Sequence, residues 1–150
     1  MMFFTGFSRF SPSIQTEHEK AIPANEQRLM EILSLADQAE AILTDGDLDE
    51  FGRLLDHTWQ LKRGLTSAVT TEAIDQFYAA AKSAGALGGK LLGAGGGGFL
   101  LLYVRPEDQP NVRKALYGLK EIPFNFESGG ARILYYAPED HAPSNGKGQL

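Results

Sequence analysis

Cysteine is absent from the 150 residues of this chain, and its absence removes several kinds of chemistry at once. Without thiols there are no disulfides, no thiolate metal sites and no cysteine nucleophile, so we expect a reducing, cytoplasmic setting. The three histidines share no metal-ligand spacing, and the acidic residues fit helix caps and solvated faces. No metal site and no catalytic base are therefore assigned in this chain.

Positive charge and long apolar runs are also scarce. Fourteen Lys and Arg residues stand against nineteen Asp and Glu residues, which leaves a formal net charge of −5. The sequence has no basic run that would neutralise a nucleic-acid backbone, so nucleic acid is not an expected partner. The longest wholly apolar stretch is far shorter than the roughly 20 residues that span a bilayer, so no membrane contact is expected.

Apolar residues and glycine, by contrast, are plentiful. Hydrophobic residues make up 43% of the sequence and nine residues are phenylalanine, enough to build one domain with its own core. We predict that this domain spans residues 1–137. From Pro138 the composition turns to Pro, Asp, Ser, Asn and Gly, which predicts a disordered tail over residues 138–150.

The first half of the chain predicts one short strand followed by helices. Met1 to Phe4 indicates a buried strand, and Ser13 to Ala21 indicates a short helix that Pro23 ends. From Glu26 onward, three and four residue spacing predicts an amphipathic helix with a core-facing stripe of Leu29, Ile32, Leu33, Ala36, Ala39, Ile42 and Leu43. Two more helices are predicted from their caps, which are Asp47 for one and Thr70 or Thr71 for the other, with Gly85 as the stop.

The second half predicts strands around one helix. Phe99 to Val104 reads as an apolar strand, Glu107 to Leu119 as a helix, and Phe124 to Glu127 and Arg132 to Tyr136 as two strands of a hairpin. Helices followed by a compact unit of strands indicate an α+β fold with an antiparallel sheet.

The most informative feature is a run of eight glycines in fourteen residues between Gly85 and Gly98. Such clusters are expected where the backbone takes positive φ or approaches a ligand closely. A dinucleotide fingerprint needs a helix directly after it, and here a strand follows; a P-loop needs Ser or Thr after its lysine, and here Leu91 follows Lys90. Two interpretations remain open, an anion-binding nest of amides and a turn that lets two elements pack closely.

The segment from Gly88 to Phe99 reads Gly-Gly-Lys-Leu-Leu-Gly-Ala-Gly-Gly-Gly-Gly-Phe. It resembles the third signature motif of a superfamily of small-molecule kinases that includes galactokinase, homoserine kinase, mevalonate kinase and phosphomevalonate kinase. Within this superfamily the chain is most similar to bacterial sugar kinases related to D-glycero-D-manno-heptose 7-phosphate kinase. The resemblance covers nearly the whole chain before the tail, through Phe4 to Phe10, Gly46 to Gly52, Trp59 to Arg63 and Gly85 to Leu87.

The resemblance implies a ferredoxin-like antiparallel sheet with helices packed on one face, and an ATP-dependent, Mg²⁺-dependent sugar-phosphate kinase. Other acceptors in the superfamily are fucose, galactose or mevalonate derivatives, and a non-catalytic binding module is the alternative from a different class. The expected phosphate-binding residues are Gly93, Ala94, Gly95, Gly96, Gly97 and Gly98. The expected substrate-binding residues are Trp59, Lys62 and Lys90.

Kinases of this superfamily also have an N-terminal domain with a Gly-Leu-Gly-Ser-Ser ATP motif and the acidic residue expected to act as base. Neither motif nor base occurs here, so the chain is expected to be the C-terminal domain alone, without its N-terminal half. We expect such a domain to be inactive by itself and to self-associate. Leu92 stands where many members have threonine, so no hydroxyl contact is expected there.

The three candidate side chains also have plain structural interpretations. Trp59 and Lys62 share one helix face, where the indole stacks on a sugar and the ammonium meets a phosphate, or where a half-buried Trp lies under a lysine stem. Lys90 either faces a phosphate or is a solvated surface lysine. The sequence leaves these alternatives open.

Overall fold

A computed structural model describes residues 1–7 and 11–133, and of residues 11–15, 17 and 18 it describes the backbone alone. The predicted tail and the end of the last predicted strand lie outside the described residues. The elements are β1 (Met2–Phe4), α1 (Ser11–Asp45), α2 (Leu48–Arg63), α3 (Glu72–Ser83), β2 (Ala86–Leu91), β3 (Phe99–Val104), a 3-10 turn (Pro106–Asp108), α4 (Gln109–Ala115) and β4 (Lys120–Glu121). None of the helices in this described part is long and apolar enough to cross a membrane.

The four strands form one sheet in the order β2-β3-β1-β4. Every neighbouring pair is antiparallel, with β1 between β3 and β4. Strands in this order, with helices between β1 and β2 and between β3 and β4, make a ferredoxin-like arrangement. The predicted α+β fold with an antiparallel ferredoxin-like sheet is confirmed.

The hydrophobic core lies on the face of β3 that carries Leu100, Leu102 and Val104. Side chains from the helices complete it, with Ile74 and Ala81 from α3 and Val112 and Leu116 from α4. Alternate residues of a strand point to opposite faces, so the even positions of β3 are buried while Phe99, Leu101 and Tyr103 are less so.

The predicted helix caps are confirmed. The carboxylate of Asp47 accepts a hydrogen bond from the amide of Asp49, and the hydroxyl of Thr71 accepts one from the amide of Ile74. Thr71, not Thr70, is therefore the cap of α3. Gly85 follows the end of α3 with a φ of 109°, a conformation that favours glycine.

The predicted break in the first helical region is wrong, because α1 continues through Pro23 as one helix. Two residues on, the side-chain amide of Asn25 donates to the carbonyl of Ala21 at 3.0 Å and to that of Leu65 at 3.2 Å. The second of these bonds ties α1 to the segment that follows α2. The predicted core-facing stripe is wrong at Leu33 and Leu43, which are 64% and 56% exposed, and at Ala36, which is also exposed. The buried residue of this region is Leu35, which the stripe did not include.

The last predicted elements also differ. The helix from Glu107 is shorter, because the 3-10 turn precedes α4 and Pro110 fixes the start of the helix. No strand covers residues 124–127; the short strand β4 lies earlier, and its Glu121 pairs with Phe3 of β1. Since β1 has only three residues, β4 forms only two residue pairs with it.

One close contact fixes α2 on the sheet. A Cβ placed on Gly88 of β2 would lie 1.8 Å from the carbonyl oxygen of Gly52 in α2. A Cβ on Gly52 would in turn lie 2.6 Å from the ring of Tyr103. Backbone therefore packs directly on backbone, and both positions require glycine for space.

We expect Gly88→Ala to lower the free energy of unfolding by about 3 kcal/mol, because the methyl group forces α2 away from the sheet. Gly118→Ala is the matched control, since its φ of 103° is strained but its Cβ meets no atom within 4 Å. We expect the control to lose only about 1 kcal/mol. Urea unfolding measures both; equal losses would contradict the close approach.

Candidate functional site

The candidate site is the loop Gly93 to Gly98, which joins β2 to β3. Four of its residues have positive φ, namely Gly93 (79°), Gly95 (124°), Gly96 (70°) and Gly98 (102°). Residues with a Cβ rarely adopt these angles, so the loop backbone depends on glycine at these positions. This is the conformational reason for the glycine run.

One side of the loop is anchored to neighbouring backbone. The amide of Gly96 donates to the carbonyl of Val69 at 2.8 Å, and the amide of Gly98 donates to the carbonyl of Phe7 at 2.8 Å. A Cβ on Gly95 would lie 2.7 Å from the carbonyl oxygen of Val69. On this side the loop is a packing element, and its glycines are needed for space.

The other side of the loop is open. A Cβ on Gly93 would meet no atom within 4 Å. Within residues 1–7 and 11–133, the amides of Gly93, Ala94, Gly95 and Gly97 donate to no acceptor of the chain, and of these four residues Gly93 and Ala94 reach the surface while Gly95 and Gly97 are buried. Free amides in succession are what an anion-binding nest requires. The loop thus combines a packed side with an open one, and phosphate binding at the open side stays a prediction.

Lys62 and Lys90 lie beside the open side. Lys62 is in the last turn of α2, and its Nζ donates to the carbonyl of Gly93 at 2.6 Å. Burial lowers the pKa of the Lys62 ammonium below its ordinary value, and the positive charge of Lys90 lowers it further. Two ammonium groups therefore interact next to the loop, as expected for a site that takes an anion.

Trp59 does not lie at the surface, where it would have to lie in order to stack on a sugar. Its side chain is 0% exposed and belongs to the hydrophobic core. Its ring centroid is 6.1 Å from that of Tyr78, and its indole N–H has no acceptor in the described part of the chain. In this arrangement the indole presents no surface on which a sugar could stack.

A polar cluster that sequence reasoning missed connects α2, α3 and β2. The hydroxyl of Tyr78 donates to Asp56 at 2.5 Å, and Lys82 Nζ lies 3.1 Å from the same carboxylate and 2.7 Å from the carbonyl of Leu87. Burial raises the pKa of the Asp56 carboxyl, but hydrogen bonds from Tyr78, Lys82 and Gln60 outweigh it and the net pKa is lowered. Only the four-residue spacing of Tyr78 and Lys82 hinted at this pairing.

The hydrogen bonds and charges of this cluster hold α2, α3 and β2 together. Burial and the neighbouring Asp56 carboxylate raise the pKa of the Tyr78 hydroxyl above its ordinary value, so it remains a donor. No group of three His, Asp or Glu side chains among the described residues is placed to hold a metal ion.

Comparisons with known proteins match this chain to a family. The profile of the family described as "GHMP kinases C terminal" matches residues 35–119. A D-glycero-alpha-D-manno-heptose 7-phosphate kinase of Campylobacter jejuni is 29% identical over 119 residues, which cover 77% of this chain and 35% of that protein. An L-fucokinase/L-fucose-1-P guanylyltransferase of Bacteroides fragilis is 32% identical over 122 residues, 77% of this chain and 13% of that protein.

Solved structures share the fold. Mevalonate kinase of L. major, in complex with R-mevalonate, superposes with a TM-score of 0.66 at 22% identity, over 77% of this chain and 36% of that one. Mevalonate kinase of Methanococcus jannaschii gives a TM-score of 0.66 at 24% identity, over 79% and 36%. The chain spans about a third of the length of these kinases and of the Campylobacter relative. By the match of its family profile over more than half its residues, the chain belongs to the GHMP kinase C-terminal family.

Proposed function

We propose that this chain is the C-terminal domain of an ATP-dependent sugar or sugar-phosphate kinase. The observation that carries the proposal is the open side of the glycine loop, where free amides and two lysines meet. Phosphoryl transfer depends mostly on positioning the reactants and neutralising charge on the phosphates. Amides held by a rigid loop and ammonium groups beside them supply both kinds of help.

In this proposal the loop amides and the lysines have different roles. The amides of Gly93 and Ala94 face the ATP phosphates, Gly95 and Gly97 pack against the backbone of Val69 and Phe7, and Gly96 and Gly98 donate hydrogen bonds to the same two residues. Lys62, whose Nζ contacts the carbonyl of Gly93, and Lys90, in the strand before the loop, supply positive charge to the acceptor substrate. The free amides fit phosphate oxygens, and Mg²⁺, when bound, would neutralise the ATP phosphates. Among the described residues no group of three His, Asp or Glu side chains is placed to hold the metal.

The acceptor that we propose is a heptose phosphate of the kind named for the Campylobacter relative. A related acceptor such as fucose is the alternative, since the Bacteroides relative is named as a fucokinase, and galactose or a mevalonate derivative are further candidates in the superfamily. From a different class, the chain would be a binding module without catalysis. The exposed apolar flank of α1 and the short length relative to whole kinases support a missing partner half.

An assay of kinase activity tests the proposal that this chain needs a separate N-terminal half. We expect the chain alone, with ATP, Mg²⁺ and heptose 7-phosphate, to give no turnover, because no base and no second ATP motif occur in it. A kinase assembled from this chain and the N-terminal region of the Campylobacter jejuni relative is the positive arm, read by coupled ADP release. Turnover that depends on this chain alone would refute the proposed division.

A glycine substitution tests the phosphate role of the loop. We expect Gly93→Ala in the assembled kinase to lower kcat/KM for ATP by more than roughly tenfold, because the methyl group enters the open side. Melting temperature should fall only slightly, since the substitution costs about 1 kcal/mol of backbone strain and meets no neighbouring atom. Gly118→Ala, equally strained and remote, is the control for strain.

Gly95→Ala separates the two sides of the loop. Its Cβ would press on the carbonyl of Val69, so we expect a clear loss of melting temperature. Normal kinetics for Gly93→Ala would mean that the loop serves packing alone, and the phosphate assignment would be abandoned.

Sedimentation of the chain tests whether the exposed apolar surface of α1 is an interface between copies. Met30 and Leu33 of α1 are 61% and 64% exposed, and apolar surface of this kind favours association. We expect concentration-dependent dimers or larger species in sedimentation velocity, and a shift toward monomer in the double variant Met30→Gln, Leu33→Gln. A wild-type chain that stays monomeric at millimolar concentration would exclude this surface as an interface between copies.

A further inference from the structure

Lys62, from α2, contacts the glycine loop, and Lys90 lies in the strand that leads into the loop. Lys62 reaches it from the last turn of α2, where its Nζ contacts the carbonyl of Gly93 at the solvent-exposed surface. Lys90 is the fifth residue of the six-residue strand β2 and lies three positions before Gly93. Both side chains are half-buried, so their positions are restrained more than those of free surface lysines.

Neither lysine is neutralised by an acidic side chain in residues 1–7 and 11–133. The acids of the surrounding elements already have other partners: Asp56 pairs with Lys82, Asp75 with Arg63, and Asp49 with Arg105. In a chain with a formal net charge of −5, two adjacent cations without a carboxylate stand out. Their charge is therefore available to a ligand.

The electrostatic state of Lys62 supports the same conclusion. Burial lowers the pKa of its ammonium, and the charge of Lys90 lowers it further. An anion between the two groups would favour the protonated form and raise that pKa again. The pair is thus arranged so that binding an anion relieves a repulsion present in the free chain.

We propose that Lys62 and Lys90 bind the phosphate monoester that the acceptor sugar already carries, so that the pair selects phosphorylated over neutral sugars. This inference rests on the proposed kinase function and narrows its acceptor. A dianionic phosphate accepts charge-assisted hydrogen bonds from two ammonium groups, whereas a neutral sugar hydroxyl gains much less from the same charge. The ATP phosphates present the same chemistry, and the experiment separates the two sources.

The experiment is an NMR titration of the chain itself at pH 8, where the phosphate monoester is a dianion. The probes are D-glycero-D-manno-heptose 7-phosphate, the same heptose without phosphate, and ATP. We expect the phosphorylated heptose to bind at least roughly tenfold more tightly than the neutral one, and the pKa of Lys62, read from its Cε resonance, to rise on binding.

Variants assign the effect to the lysines. We expect Lys62→Gln and Lys90→Gln each to weaken binding of the phosphorylated heptose by roughly tenfold, with ATP binding changed much less. Lys62→Arg keeps the charge and should retain most of the affinity. Lys114→Gln, an exposed lysine of α4, is the control and should bind as the parent chain does. Far-ultraviolet circular dichroism verifies that each variant is folded.

Three results would overturn the inference. These are equal affinity for the two heptoses, unchanged binding in both lysine variants, or a loss of ATP affinity as large as that of heptose 7-phosphate. The outcome is separable from the glycine-loop test. If Gly93→Ala leaves the assembled kinase unaffected while the lysine variants lose heptose 7-phosphate, the loop role fails and the lysine site stands.

Discussion

The contact of α2 with β2 at Gly52 and Gly88 is the constraint on which the candidate site depends. Because backbone meets backbone there, the distance and the rotation of α2 over the sheet are fixed. Trp59 and Lys62 lie two and three turns further along the same helix, so the same contact determines where their side chains lie. It places the indole of Trp59 in the core and the ammonium of Lys62 beside Gly93.

The sequence left open whether the glycine run is a packing turn or an anion-binding nest, and the structure decides this for only some of its glycines. Gly95 is needed because Val69 is too close for a Cβ, and Gly97 because Phe7 is too close. Gly93 has free space, so packing does not explain why that position is glycine. Its positive φ does, and that conformation exposes the amides of the open side. Close packing and exposure of amides are thus properties of different residues of one loop.

Several local signals were predicted correctly from the sequence, although the strand at Phe124 to Glu127 was not, and specific contacts between distant elements were missed. The caps Asp47 and Thr71 and the apolar strand β3 depend on neighbours within a few residues, and the structure has them where the sequence indicates. The bond from Asn25 of α1 to the carbonyl of Leu65 joins residues forty positions apart, and no periodicity reveals it. The burial of Trp59 likewise follows from the approach of α2 to the sheet, because its helical spacing fits a core or a surface position equally.

The hydrogen bonds of Thr5 indicate when the glycine loop takes its final geometry during folding. Both the amide and the hydroxyl of Thr5 donate to the carbonyl of Gly98 at 2.9 Å, across 93 residues of intervening chain. Closing so long a segment has an entropic cost that only the assembled sheet can offset, and contacts of such separation form slowly. During synthesis the loop therefore remains without its anchor until β3 has emerged and paired with β1. The geometry of the loop is a late product of the whole domain rather than a property of its glycines alone.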